Sequence, residues 1–172
     1  MCGIIGIISN RDVAPLLIDG LKRLEYRGYD SAGVATLVNG HVERRRTEGK
    51  IANLQSALDG DPLSGTIGIG HTRWATHGLP NTTNAHPHAD DKVVLVHNGI
   101  IENFQDLRRD LTKQGHKFET DTDTEAVVHL ISRHLRDGKT PQNAVAAALK
   151  QLEGAFALAI LFSGHNKLMI GA

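Results

Sequence analysis

The amino-acid sequence predicts one globular domain in which α-helices and β-strands form mixed layers. Short apolar runs rich in β-branched residues indicate buried strands, and the Asn39-Gly40 pair indicates a hairpin between two of them. Segments with apolar residues at helical spacing lie between these groups of strands. Hairpin-paired strands with intervening helices favour mixed α and β layers over a purely parallel sheet.

The strands are predicted from apolar runs that are bounded by turn residues. They cover residues 3–8, 34–38, 41–47, 66–71, 92–97, 154–162 and 167–172. Residues 72–91 have no clear period and contain Pro80 and Pro87, so they are predicted to form a long loop, a feature that is often functional. The sequence ends in an apolar strand that would leave a bare sheet edge, so we expect the natural polypeptide to continue.

The helices are predicted from apolar residues spaced three and four apart behind candidate caps. Asp12 can cap a first helix that reaches Leu24, and Asn103 can cap one that ends near residue 113. Thr140-Pro141 opens a further helix, because Pro is favoured at the first helical position. The remaining predicted helices cover residues 50–58 and 122–136, the second capped by Thr122 or Asp123.

Composition excludes several classes of protein. The 172 residues carry 19 Lys and Arg against 19 Asp and Glu, which argues against a dedicated nucleic-acid binder. No apolar run approaches the roughly 18 residues that span a bilayer, and no secretory signal precedes the domain. The single cysteine excludes an internal disulfide and a cysteine-cluster zinc site. We therefore expect a cytoplasmic protein with neither nucleic acid nor membrane as its partner.

Cys2 is the first candidate for chemistry. It follows the initiator Met, and cysteine is small enough for that Met to be removed. An α-amine has a reference pKa of about 7.7–8.0 and a thiol one of about 8.5, so the two groups can serve as base and nucleophile near neutral pH. The alternative is that Cys2 is a small buried residue at the start of a strand.

Two further segments carry groups suited to binding a substrate. Arg73, Thr76 and His77 lie within five residues and can converge on a carboxylate, which Arg binds bidentately. The alternative there is a solvated loop with a packed Trp. Asn98-Gly99 offers a side-chain amide beside an open backbone N–H, as an oxyanion hole requires, although a simple turn is the alternative.

Three other patterns have less specific interpretations. A carboxylate in Thr120–Glu125 can bind a substrate ammonium, or the segment can be a helix cap with acidic residues at the favourable end of the dipole. Several histidines lie between residues 71 and 97, but their spacing matches no familiar zinc pattern. The run 44–46 of three arginines is interpreted as a solvated strand face or a partner surface.

Taken together, these segments resemble the glutamine amidotransferases that use an N-terminal cysteine nucleophile. The start of the chain, Met1-Cys2 followed by Gly-Ile-Ile-Gly-Ile, matches that group. Within it, the chain resembles the glucosamine-6-phosphate synthase family (glutamine–fructose-6-phosphate aminotransferase, isomerizing). The segments that carry the resemblance are 23–33, 71–78, 84–88, 97–103 and 122–125.

The resemblance implies an α+β fold, the four-layer αββα Ntn-hydrolase sandwich, truncated at its C-terminal edge. Residues 2–172 would be an incomplete glutaminase domain of the glutamine amidotransferase type 2. Its partners would be L-glutamine and the C-terminal sugar-phosphate isomerase domains of the same enzyme, which are absent from this chain. The full-length enzyme is expected to be a homo-oligomer that makes glucosamine 6-phosphate.

The resemblance also implies catalytic roles. Cys2 attacks the side-chain amide of glutamine and forms a thioester, and its own amine shuttles the proton. The Asn98 side chain and the Gly99 N–H hold the oxyanion. Arg27 supports the closed site, and Trp74 shields it from bulk water. No metal or other cofactor is implied.

Substrate recognition is assigned in the same way. Arg73, helped by Thr76 and His77, would bind the α-carboxylate of glutamine, and Asp123 would bind its α-ammonium. Three alternatives are retained: another class II enzyme such as glutamine phosphoribosylpyrophosphate amidotransferase, a catalytically dead glutamine-binding module, and a structural module that holds a metal through the histidines.

Overall fold

Two four-stranded antiparallel sheets form the centre of the computed structural model, which describes residues 2–172. In spatial order, the first sheet contains β1 (Gly3–Ile8), β4 (Ile67–Arg73), β2 (Ser31–Val38) and β3 (His41–Glu48). In the same order, the second sheet contains β5 (His88–Ala89), β6 (Val93–Gly99), β7 (Phe156–Phe162) and β8 (His165–Gly171). Met1, whose removal the sequence predicts, lies outside the described residues.

Three apolar layers show that the sheets and helices stack in four layers. Between the sheets, Ile69 of the first packs with Val94 and Leu161 of the second. Helices α1 (Ala14–Lys22) and α2 (Ile51–Gly60) cover the outer face of the first sheet. The outer face of the second sheet is covered by α3 (Phe104–Lys113), α4 (Asp123–Arg136) and α5 (Pro141–Leu149). The order αββα is therefore confirmed.

The Asn39-Gly40 hairpin and the Thr140 cap are confirmed. Asn39 has a φ of 50° and Gly40 one of 81°, the left-handed pair that a tight hairpin needs. Thr140 Oγ1 accepts the Asn143 N–H at 3.3 Å, at the start of α5. Both features depend on local chemistry alone, which is why the sequence predicts them.

The predicted cap at Asp12 is wrong, because Val13 is the N-cap of α1. Asn103 is the N-cap residue of α3 as predicted, but its side chain makes no capping hydrogen bond. The Asp12 carboxylate accepts the N–H of Gly65 at 2.8 Å, and α1 begins two residues later. The Asn103 amide nitrogen donates to the Gln151 carbonyl at 2.8 Å, and its amide oxygen accepts the Glu153 N–H at 3.1 Å. Each side chain is used to fasten a loop that is distant in sequence, and such partners leave no local signal.

The loop predicted over residues 72–91 is largely irregular, but its end is fixed to both sheets. His88 and Ala89 form the short strand β5. Arg44 Nη1 donates to the Pro87 carbonyl, and Arg46 Nη1 donates to that of Ala85, each at 3.0 Å. The prediction of a solvated arginine face is therefore wrong for these two residues, because their partners are loop carbonyls about 40 positions away.

The strand registers place the ends of β4 and β6 at the candidate site. Gly3 pairs with Thr72, so Cys2 lies beside the last residues of β4. β6 continues through Asn98 and Gly99, which pair with Ala157 and Phe156. The Asn-Gly pair is thus a strand end rather than the simple turn that was its alternative.

Within residues 2–172, no helix combines the length and the apolar character that crossing a bilayer requires.

Candidate active site around Cys2

Cys2 is fixed against the end of β4. Its Sγ accepts the backbone N–H of Trp74 at 3.1 Å and lies 3.6 Å from the carbonyl oxygen of the same residue. The sulfur is therefore held by backbone, whose position follows from the pairing of β1 with β4. The thiol is partly buried and is not part of a disulfide.

Two adjoining pockets open at the sulfur. The first, here called the inner pocket, is narrow, with a volume of about 20 Å³, and is lined by Cys2, Arg73, Trp74, Thr76, His77, His86, His97, Gly99, Thr122, Asp123 and Thr124. The second, the outer pocket, has a volume of about 440 Å³ and is lined by Cys2, Arg27, Trp74, Thr76, Asn98, Gly99 and Ile100. All nine site residues named from the sequence line one pocket or both.

Arg73 is the buried cation of the inner pocket. Its guanidinium is paired with Asp30 at 3.8 Å and donates to the carbonyls of His77, Gly78 and Leu79. Burial lowers the pKa of Arg73, while nearby Asp30 and Asp123 oppose that change. The side chain is 3% exposed, so its charge acts in a weakly screened environment.

Asp30 was not singled out from the sequence, yet it holds the turn that carries Trp74. Its carboxylate accepts the N–H of Ala75 and the hydroxyl of Ser31, and its backbone N–H donates to the Arg73 carbonyl. Asp30 lies in segment 23–33, one of those that carry the family resemblance, but only the tertiary pairing of β2 with β4 reveals what its carboxylate contacts.

Asp123 is the buried anion of the inner pocket, at the first residue of α4. Its Oδ2 accepts the Ile101 N–H at 2.9 Å. Its Oδ1 has only longer contacts, 3.5 Å to the Thr124 hydroxyl and 3.8 Å to His97 Nδ1. One oxygen is thus used to fix the carboxylate, while the other retains capacity to accept a donor from the pocket.

Asn98 and Gly99 border the outer pocket. Asn98 Oδ1 lies 2.8 Å from Nε2 of His71, which comes from the other sheet. Gly99 has a φ of +117°, and a Cβ there would overlap the carbonyl oxygen of Ala155. Position 99 therefore requires glycine, and its backbone stays uncovered beside Cys2.

Trp74 and Arg27 form the exposed rim of the outer pocket. The Trp74 side chain is 54% exposed, and Arg27 stacks on Tyr26 with its guanidinium carbon 5.6 Å from the ring centroid. Their place on the rim is consistent with the shielding and supporting roles that the sequence suggests.

Two buried histidines, His86 and His97, line the inner pocket together with Thr124. Thr124 Oγ1 lies 2.9 Å from His86 Nε2 and 3.0 Å from His97 Nδ1, and a hydroxyl can donate to one ring while it accepts from the other. Burial lowers the pKa of His86 well below its usual value and lowers that of His88 to about 3, which keeps both rings neutral.

A metal site was one interpretation of these histidines. Over residues 2–172 the structure brings together no group of three or more His, Cys, Asp or Glu side chains suited to a metal ion. His86, His88 and His97 instead contact threonine hydroxyls, which sequence spacing could not reveal.

Glu125 and His129 stabilise the segment that carries Asp123. Glu125 accepts the N–H groups of Glu119 and Thr120, both at 2.8 Å. His129 lies 3.6 Å from Glu125 and 3.8 Å from Asp90, distances of ion pairs rather than hydrogen bonds. Burial by itself would lower the pKa of His129, but the two carboxylates outweigh it and raise that pKa to about 9.

Comparison with known proteins identifies the family. A sequence profile described as the glutamine amidotransferase domain matches residues 71–172. The chain belongs to the glutamine amidotransferase family. Its fold is also similar to that of two solved structures. One is the glutamine phosphoribosylpyrophosphate amidotransferase from B. subtilis (TM-score 0.80, 27% identity), and the other is an allosteric regulatory enzyme of purine biosynthesis (TM-score 0.79, 28% identity). The matches cover 95% of this chain and 35% and 36% of those chains.

Curated relatives of this amidotransferase chain are more similar in sequence. The glutamine–fructose-6-phosphate aminotransferases (isomerizing) of Brucella suis and Mesorhizobium japonicum are 64% and 62% identical over all 172 residues. The chain spans 28% of the length of each. Because the glutamine phosphoribosylpyrophosphate amidotransferase is only 27% identical, the chain is more similar in sequence to these aminotransferases.

The charge on His129 gives a prediction about stability. A pKa raised to about 9 stabilises the fold at and below pH 6.5, the value for an unperturbed His, and this contribution disappears as the pH rises through about 9. The difference in free energy of unfolding between the wild type and His129→Gln should therefore shrink between pH 6.5 and pH 9.5. Urea unfolding at the two pH values measures it, and a difference that stays constant would contradict the assigned charge.

Proposed function

We propose that this chain hydrolyses L-glutamine to glutamate and ammonia through a thioester on Cys2. The observation that carries the proposal is that Cys2 lies where the inner and outer pockets meet. The inner pocket offers a buried cation, Arg73, and a buried anion, Asp123. The outer pocket offers Asn98 and Gly99. Opposite charges suit the two ends of a free amino acid, and amide donors suit the oxygen at its reacting end.

Substrate recognition depends on the two buried charges. The α-carboxylate of glutamine would bind the Arg73 guanidinium, helped by Thr76 and His77, which also line the inner pocket. The α-ammonium would bind Oδ1 of Asp123, whose Oδ2 is already used by the Ile101 N–H. A glutamine within a peptide lacks both charges, so this arrangement selects the free amino acid.

The reaction then proceeds in two steps. The Cys2 sulfur attacks the side-chain amide carbon of glutamine, and the thiol proton passes to the α-amine of the same residue. The carbonyl oxygen becomes an oxyanion that the Asn98 side chain and the Gly99 N–H stabilise. The C–N bond breaks as the amine returns the proton to the leaving nitrogen, which departs as ammonia and leaves a thioester. Water adds to the thioester, and glutamate leaves with the thiol restored.

The wider role follows from the named relatives. We propose that the whole polypeptide uses the ammonia to convert fructose 6-phosphate to glucosamine 6-phosphate on sugar-phosphate isomerase domains outside this chain. The names of relatives 64% and 62% identical to it support this assignment. A cytoplasmic location and a homo-oligomeric full-length enzyme belong to the same proposal.

The first test removes the sulfur. Cys2→Ala keeps a small second residue, so removal of Met1 is unaffected and only the nucleophile is lost. Glutamate release from glutamine should fall by at least about 1,000-fold, because no thioester can form. Binding of glutamine, measured by calorimetry, should persist. Hydrolysis at the wild-type rate would contradict the mechanism, and an inactive wild type that binds glutamine would favour a dead binding module.

The second test neutralises the anion. Asp123→Asn keeps an oxygen for the Ile101 N–H but removes the charge, so the KM for glutamine should rise by about 10- to 100-fold. Asp121→Asn is the matched control, because this neighbouring residue is exposed and absent from both pocket linings. Steady-state kinetics with glutamine as the varied substrate give the KM of each variant. Equal KM values for both variants would place the ammonium site elsewhere.

A further inference from the structure

One hydrogen bond joins the two sheets at the candidate oxyanion site. His71 lies near the end of β4 in the first sheet, and Asn98 lies near the end of β6 in the second. The His71 Nε2 and Asn98 Oδ1 atoms are 2.8 Å apart. The His71 side chain is fully buried, at 0% exposure, so water does not compete for this contact.

The orientation of the Asn98 amide depends on this contact. A side-chain amide has an accepting oxygen and a donating nitrogen on opposite sides. If the oxygen is bonded to His71, the nitrogen is directed away from the ring. Asn98 also borders the outer pocket beside Cys2, so the nitrogen is then available on the side where the reaction occurs.

Two observations place a proton on Nε2 of His71. Its partner in the 2.8 Å contact is the Asn98 amide oxygen, and an amide oxygen can only accept. His71 Nδ1 is buried without a hydrogen-bond partner, so a proton on that atom would be left unsatisfied. Burial lowers the pKa of His71 to about 3, so the ring is neutral and carries one proton. That proton therefore belongs on Nε2.

We propose that His71 is a positioning residue, whose Nε2–H holds Asn98 Oδ1 and thereby directs the Asn98 amide nitrogen toward the oxyanion. The proposal rests on the function proposed above, because it concerns the same reaction. If the amide turned over, its oxygen would face the developing negative charge and repel it. Since that charge exists only in the transition state, loss of the contact lowers kcat and leaves the binding of glutamine nearly unchanged.

The kinetic test uses the whole natural polypeptide and two variants of His71. His71→Leu fills the buried site with an apolar side chain but removes the N–H donor. It should lower kcat by at least about tenfold and leave KM within about threefold of the wild-type value. His71→Gln supplies an N–H donor of similar reach and should recover part of that loss. His134→Leu is the control, because His134 is also buried but lies on α4 away from both pockets.

A double-mutant cycle separates positioning from a general structural effect. Asn98→Ala removes the donor itself, so adding His71→Leu to it should cause little further loss of kcat. A full additional tenfold loss in the Asn98→Ala background would overturn the proposal. So would a His71→Leu enzyme with wild-type kcat, or a loss that falls on KM alone.

The tautomer gives a readout that needs neither turnover nor the variants. NMR of protein with ¹⁵N-labelled histidine should find the proton of His71 on Nε2, and a proton on Nδ1 would overturn the positioning role. If the wild type releases no glutamate, the proposed function fails while the tautomer still decides the His71–Asn98 arrangement. Failure of the proposed function and failure of the positioning role are thus distinguishable. Because the NMR measurement uses the wild type, this holds even if His71→Leu does not fold.

Discussion

The pairing of β1 with β4 is the constraint on which the rest of the site depends. Gly3 lies opposite Thr72, so Cys2 reaches the turn after β4 and its sulfur accepts the Trp74 N–H at 3.1 Å. Side chains alternate along a strand, so a slip of one residue would exchange the two faces of β1. The register therefore fixes both the position of the sulfur and its approach to the two pockets.

The second constraint is the stacking of the sheets. β4 supplies Arg73 and β6 supplies Asn98 and Gly99, so the two strand ends must meet for the pockets to form. An apolar layer between the sheets holds them together, and the contact of His71 with Asn98 joins them at the site. Helix α4, on the outer face of the second sheet, begins at Asp123 and so supplies the buried carboxylate of the inner pocket.

Several buried polar groups in and around the inner pocket have specific partners. Thr124 lies within hydrogen-bonding distance of two histidine rings, and Glu125 accepts two backbone N–H groups just before α4. An unpartnered buried polar group costs about 1–3 kcal/mol, so these contacts limit how the loop segments can be arranged. A rigid polar layer of this kind suits a site whose groups must stay in position during a reaction.

The sequence predicted the local features and the reactive groups better than their partners. The Asn39-Gly40 hairpin, the Thr140 cap and the αββα order are confirmed, because they follow from local backbone preferences or from a family resemblance. The partners of the Asp12, Asn103, Arg44 and Arg46 side chains could not be predicted, since they lie 39 to 53 positions away in the sequence. His71 was one histidine among ten until the two sheets brought it to Asn98.

In the proposed reaction one residue, Cys2, supplies both the nucleophile and the base. Mass spectrometry of the mature natural protein tests this, before and after reaction with a glutamine analogue that carries an electrophilic carbon in place of the amide. We expect an unblocked N-terminus at Cys2 and one equivalent of analogue on its sulfur. An N-terminus that retains Met1, or label on any other residue, would contradict it.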